Sequence, residues 1–191
     1  MKTLAKFLSY LVPVRKYRKP FLHWLEEVLW CGAYHNVHAW KIRRTAKKVG
    51  KNLYVAGASK VNRGTVLGDN VRLHGMKITG KGKVNIGSYV IAAGDCLIIT
   101  QNHNYEGESI PYDETLIVRD VEIGDFVWIG ARVLILPGTK IGEGAIIQGG
   151  AVVHGEIPPY AIAGGNPAKV FKYRDIDHFK KLKVEGRFYQ G

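Results

Sequence analysis

Apolar residues follow two different spacings along this chain. Residues 3 to 48 read as helix, broken by Pro13 and Pro20, with a second helix starting near Phe21. That second helix carries Leu22, Trp24, Leu25, Val28, Leu29, Trp30 and later Val37, Trp40 and Ile42, a loosely amphipathic set. From residue 55 the spacing becomes six. Ile123, Ile129, Ile135, Ile141, Ile147 and Val153 form one column of branched aliphatics. The next position is Gly124, Gly130, Leu136, Gly142, Gln148 and His154, and the fourth past the aliphatic is Val127, Val133, Thr139, Ala145, Ala151 and Ile157. Earlier blocks repeat the rule with Val55, Val61, Leu67 and Leu73, and in another phase with Ile86, Ala92 and Ile98.

A period of six with frequent glycine matches no 3.6-residue stripe, so an α-helical reading fails. The pattern predicts an all-β solenoid, in which each short strand buries its apolar face against the equivalent residue one coil away. Stiff branched side chains suit such ladders. Glycine beside them allows a tight corner, where a Cβ would crowd the backbone or demand positive φ. Two breaks in phase interrupt the solenoid. Gly75 to Lys83 reads as a small insertion, and residues 104–118 as a longer polar loop of the kind that carries function. The expected organisation is a basic helical extension over 1–48, a solenoid over 49–170, and a short C-terminal helix and tail over 171–191.

Charge changes this picture at one end. The chain carries a formal net charge of +12, and residues 1–50 hold eleven lysines and arginines against only Glu26 and Glu27. Such a block can hold phosphate groups, and the helix that carries it either packs on the body or on a neighbouring subunit or lies, with its tryptophans, in an anionic membrane interface. No interleaved aromatic-basic repeat or nucleic-acid motif accompanies it, so nucleic acid is not the expected partner. Two cysteines, Cys31 and Cys96, are too few for a disulfide framework. A cytoplasmic protein, peripheral at the inner face of the membrane, is the expectation.

Three segments share one resemblance. Val127-Trp-Ile-Gly-Ala-Arg, Ile135-Leu-Pro-Gly and Ile157-Pro-Pro-Tyr-Ala-Ile-Ala-Gly-Gly-Asn-Pro-Ala-Lys-Val closely resemble the hexapeptide-repeat acyltransferases. Within that family they look most like the maltose, galactoside, nodulation-factor and capsular-sugar O-acetyltransferases. The resemblance is strong from about residue 86 to 173, weaker over 50–85, and absent over the N-terminal helices. It implies a left-handed parallel β-helix, a homotrimer with active sites between subunits, acetyl-CoA as co-substrate and a sugar or glycan as acceptor.

The family's catalytic histidine closes a coil just before a looped-out segment. Among seven histidines His103 alone has that context, in Ile98-Ile-Thr-Gln-Asn-His103 ahead of the 104–118 loop. Attack of a sugar hydroxyl on a thioester needs a base near neutral pH, and imidazole serves. By position the resemblance implies CoA contacts from Trp128, Ala131, Gly149, His154, Gly155, Lys169 and Lys172. The last two are often arginine in relatives, so the phosphate contact would keep charge and lose bidentate pairing. Asn102, Tyr105 and Tyr112 are candidate acceptor contacts, joined on the loop by Glu106, Glu108 and Asp113. An oxyanion donor has no clear match, with His74 and Asn102 as candidates. The alternatives are N-acetylation of an amino sugar or antibiotic, and a non-catalytic basic binder of membrane or nucleic acid. A zinc enzyme on a similar helix needs three convergent histidines, and His74, His103 and His154 lack that spacing. No metal is expected.

Overall fold

The structure, a computed structural model, describes residues 37–189. The expected first helix with its breaks at Pro13 and Pro20, most of the second helix, and Cys31 lie outside the described residues. Residues from His38 onward belong to one compact unit.

Residues 38–45 are helical, and their Ile42 is 1% exposed, the first apolar side chain of the core. The solenoid follows in about six turns, with strands of two to four residues on three parallel sheets. The first face stacks Lys48–Val49, Thr65–Leu67, Val84–Ile86, Val121–Ile123, Lys140–Ile141 and Glu156–Ile157. The second stacks Tyr54–Ala56, Arg72–His74, Ile91–Ala92, Trp128–Ile129, Ile146–Ile147 and Ala161–Gly164. The third stacks Lys77–Thr79, Leu97–Ile99, Leu134–Ile135 and Val152–Val153, with Lys60 bridged above Lys77.

The register realises the expected ladders. On the second face Val55, Leu73, Ala92, Ile129, Ile147 and Ala163 stand directly over one another, each 1% exposed or less. Burying each large aliphatic contributes about 1.5–3 kcal/mol, and the ladders of the three faces meet in one core. Between coils, glycine is needed for close approach. A Cβ on Gly130 would sit 2.4 Å from the Gly149 nitrogen, and one on Gly142 2.4 Å from the Pro159 nitrogen. Positive φ occurs elsewhere, at the third position past the ladder residue, where Phe126, Arg132, Gly138, Gly144 and Gly150 stand.

Three expectations are corrected. Gly75 to Lys83 is no insertion: Lys77–Thr79 is the third-face strand of its coil, pairing with Leu97–Ile99. Its phase slips because the step from Leu73 to Ile78 is one residue short and the following corner is longer, so a strict period misses it. Ile157 belongs to the first-face ladder under Ile141 rather than to the fourth-past column, because the corner at His154-Gly155 is two residues shorter than its counterparts. At the C-terminal end strand continues through Tyr173, Lys169–Tyr173 folding back antiparallel on Ala161–Gly164. The helix then spans Ile176–Val184, its N-cap Asp175 accepting from the His178 backbone N–H at 2.9 Å.

The corner between the first and second faces places aromatic residues where the backbone is left-handed. Successive coils put Asn52, Asn70, Tyr89, Phe126, Gly144 and Tyr160 there, with φ of 54° to 68°. Asparagine and glycine tolerate that conformation, whereas an aromatic residue costs about 1–2 kcal/mol. Tyr89 and Phe126 stack at 5.0 Å and 9°. Gly144, lacking a side chain, leaves room for Phe179 of the C-terminal helix, whose ring atoms come within 3.0 Å of where a Cβ would stand.

Candidate active site

His103 leaves the solenoid on a hairpin. After the third-face strand Leu97–Ile99 the chain does not turn into the next coil. Gln101–His103 instead pairs antiparallel with Leu116–Val118, placing His103 opposite Leu116. The base of the hairpin is fixed by Thr100, wholly buried, whose hydroxyl donates to the Thr79 carbonyl at 2.8 Å and accepts from the Gly82 N–H at 3.1 Å. Gly82 has to be glycine here, since a Cβ would lie 2.8 Å from the Arg119 carbonyl oxygen. The sequence reading missed Thr100 and Gly82. Their signal is Gly80-Lys81-Gly82 set against a buried hydroxyl one coil on.

The hairpin tip is closed by one carboxylate. Asp113 Oδ1 accepts from the Thr115 N–H at 2.9 Å and from the Thr115 hydroxyl, and Oδ2 accepts from the Glu108 N–H at 3.1 Å. These donors, the Thr115 hydroxyl foremost, hold the Asp113 carboxyl below the ordinary carboxylate range. Asn104 adds N–H to Thr115 C=O at 3.0 Å and takes the Glu106 N–H on its side-chain oxygen at 3.2 Å. The result sets Tyr112 against His103, ring centroids 4.1 Å apart and 20° from parallel.

The remaining predicted residues lie along other edges. Trp128 points outward from the second face between Ile91 and Ile146, 52% exposed. Ala131 and Gly149 occupy successive levels of the corner between second and third faces, where the Gly150 N–H donates to the Ala131 carbonyl at 2.8 Å. His154 and Gly155 form the tight turn into the last coil, and the Lys140 N–H donates to the Gly155 carbonyl at 2.8 Å. Lys169 and Lys172 lie on the last strand, opposite Gly164 and Ile162. Within the described residues, His103, Tyr112, Asn102 and Tyr105 share the hairpin, and the CoA candidates lie on the second face, its corners and the last strand. All eleven are exposed. His74 lies on the second face, its ring 5.7 Å from that of Tyr54. Cys96 is a buried free thiol beside the Gly130 carbonyl, pushed up in pKa by that burial. Among the described residues no three His, Cys, Asp or Glu side chains converge as metal ligands. No described helix is long and apolar enough to cross a membrane.

Comparison with known proteins agrees with this architecture. Residues 120–155 match the bacterial transferase hexapeptide (six repeats) family. A probable acetyltransferase of Mycobacterium tuberculosis is 42% identical over 94 residues, 49% of this chain and 31% of that protein. A chloramphenicol acetyltransferase of Klebsiella aerogenes is 36% identical over 120 residues, 54% of this chain and 57% of that one. The matched segments thus span 31% and 57% of these curated relatives. Among solved structures, a maltose O-acetyltransferase from Clostridium difficile is 25% identical with TM-score 0.64, covering 91% of this chain and 86% of the other. A galactoside acetyltransferase in complex with coenzyme A is 23% identical with TM-score 0.63, covering 92% and 82%. Residues 120–155 carry the hexapeptide repeat, and the fold of the chain is that of the left-handed parallel β-helix.

Proposed function

We propose that this chain transfers an acetyl group from acetyl-CoA to a hydroxyl of a sugar or glycan, of the capsule, exopolysaccharide or lipid-linked type, with His103 as general base. The observation that carries the reading is the hairpin, which lifts one imidazole clear of the solenoid and stacks it on Tyr112. His103 takes the proton of the attacking hydroxyl as its oxygen bonds to the thioester carbonyl carbon. As the tetrahedral species collapses, the C–S bond breaks and the imidazolium returns the proton to the CoA thiolate. No acyl-enzyme is needed when both substrates meet in one site, and proximity supplies much of the rate. Asn102, beside His103 on the same strand, is a candidate donor to the oxyanion.

Exposure of the proposed site residues supports a homotrimer, in which a second copy supplies the missing wall of each cleft. In that assembly Ala131 and Gly149 leave room for the pantetheine arm, Trp128 walls the channel, and His154 and Gly155 complete it at the adjoining turn. Lys169 and Lys172 meet the CoA phosphates. Tyr105 and Tyr112 flank the acceptor. The basic segment 1–48 brings the enzyme to an anionic membrane carrying its acceptor, and deletion of residues 1–20 should weaken binding to anionic vesicles, whereas unchanged binding would contradict this role. Release of free thiol from acetyl-CoA against a panel of sugars tests the activity. Turnover with a saccharide is expected, and thiol release with no acceptor in the panel would count against it.

A second reading has one observation in its favour, the likeness to a chloramphenicol acetyltransferase. The same imidazole would then serve an antibiotic hydroxyl or an amino sugar. Including chloramphenicol and an amino sugar in the panel separates the two by acceptor preference.

A further inference from the structure

The hairpin turns His103 toward one end of the solenoid. In a strand, alternate side chains share a face, so Gln101 and His103 point the same way. The Gln101 side-chain oxygen accepts from the Lys81 N–H at 2.9 Å, which sets that face toward the preceding coil and its corner Gly80-Lys81-Gly82. Trp128, Ala131 and Gly149, proposed to hold CoA, lie on coils that follow the hairpin. The acceptor is thereby left the side that His103 faces. That side is basic. Residues 37–83 carry twelve lysines and arginines against one acid, Asp69, whereas residues 84–189 carry ten against thirteen. Four exposed cations form a strip leading to the hairpin base. Lys60 is bridged directly to Lys77 on the third face, so two like charges stand one coil apart, with about 4.8 Å between their backbones. Arg63 and Lys81 follow at the corner into which that face runs, where the Asn62 amide donates to the Gly80 and Gly82 carbonyls, each at 2.9 Å. None of the four is in an ion pair among the described residues. Asp69 is committed elsewhere, accepting from the Lys51 N–H at the corner between the first and second faces. Lys83 is left out of the strip because the Asp120 carboxylate sits on its N–H at 2.7 Å. The hairpin acids Glu106, Glu108, Asp113 and Glu114 all come after His103, toward the tip. Like charges directly across a ladder destabilise it, and an anion bridging them offsets that cost.

We infer, on the acetyl-transfer reading, that the acceptor is an acidic glycan, its anionic groups running along Lys60, Lys77, Arg63 and Lys81 while one hydroxyl reaches His103. Charges repeated along a saccharide chain match cations repeated from coil to coil, and a neutral chain leaves those cations unmatched. Charge-assisted hydrogen bonds from ammonium and guanidinium groups suit carboxylate and phosphodiester oxygens alike. A surface of one sign also raises the local concentration of an oppositely charged ligand, an effect that salt screens. The shared chemistry has two sources, the carboxylates of a uronate-containing glycan or the phosphodiesters of a polyol phosphate chain.

Calorimetric titration of the full-length protein tests this with three probes: a hyaluronan oligosaccharide, the same oligosaccharide with its carboxylates reduced to alcohols, and a ribitol phosphate oligomer. At least one acidic oligomer is expected to bind about tenfold or more tightly than the reduced form, and to weaken as salt rises. Lys77→Gln and Lys81→Gln, both at exposed side chains, should each weaken that oligomer severalfold, and together about tenfold or more. Lys180→Gln, on the exposed side of the C-terminal helix, should leave it unchanged. Preference for hyaluronan identifies carboxylates as the recognised group, and preference for ribitol phosphate identifies phosphodiesters. Binding of neither acidic oligomer, equal affinity for the reduced form, or a loss in Lys180→Gln as large as in Lys77→Gln and Lys81→Gln overturns the inference. Thiol release from acetyl-CoA is read on the same preparations. Acidic binding that depends on Lys77 and Lys81 without any thiol release counts against the transferase reading alone, and equally efficient release with the reduced oligosaccharide counts against the acidic acceptor alone.

Discussion

Single residues decide whether coils can close on one another. Gly130 has no space for a Cβ because the Gly149 backbone lies 2.4 Å away, whereas a Cβ on Gly155 would meet nothing within 4 Å and faces only its φ of +69°. Gly130→Ala should therefore destabilise by about 1–3 kcal/mol or more, the overpacking range. Gly155→Ala should cost about 1–2 kcal/mol, the left-handed term alone. Urea midpoints of the two variants check this, and a smaller cost for Gly130→Ala than for Gly155→Ala would contradict the packing described. At the hairpin the question is what Tyr112 does for His103. If the ring orients the imidazole by stacking, Tyr112→Phe keeps turnover while Tyr112→Ala loses about tenfold or more in kcat with the KM for acetyl-CoA unchanged. Loss in Tyr112→Phe as large as in Tyr112→Ala would assign the work to the phenol hydroxyl instead. The six-residue aliphatic columns were legible because each member has one role, an inward side chain under its neighbour. Thr100 and Gly82 were not, because their roles exist only once two coils lie side by side.

At the scale of elements, the hairpin is held by polar contacts rather than burial. Asp113 gathers its donors only as a carboxylate, and its pKa lies below the ordinary value. A depressed folded-state pKa means stabilisation present above the unfolded value and lost as pH falls through the folded one. The tip should therefore loosen in acid below the usual carboxylate range while the solenoid, whose core is aliphatic, stays folded. Amide exchange at Glu108 and Thr115 measured from neutral to acid pH reads this directly. Asp113→Asn should show the loosened exchange already at neutral pH, and protection independent of both changes would refute the clasp. Element boundaries show where periodicity loses its hold. At Lys77–Thr79 and Ile157 corners of unequal length shift the phase while leaving the ladders intact, so a strict period of six misplaces both. Phe171 looked like a helix start, but the strand persists to Tyr173 because its backbone pairs with Ala161–Gly164, a long-range partner that local pattern does not announce.

For the molecule as a whole, fold and chemistry were legible to different depths. The solenoid follows from period six. The handedness, the trimer and the role of His103 rested on family likeness, and composition or spacing could not supply them. The structure adds that every proposed site residue is open to solvent in one chain, which fits a site shared between copies. Sedimentation equilibrium should accordingly give three copies per particle, and a monomer at micromolar concentration would leave those residues without an opposing wall. The account turns on His103 acting in transfer rather than in binding. Its most direct test is His103→Ala, compared with the unaltered protein for acetyl-CoA affinity by calorimetry and for acceptor-dependent thiol release. The prediction is affinity within about threefold and turnover reduced at least about 100-fold, the scale of a lost general base. Turnover equal to that of the unaltered protein would contradict it.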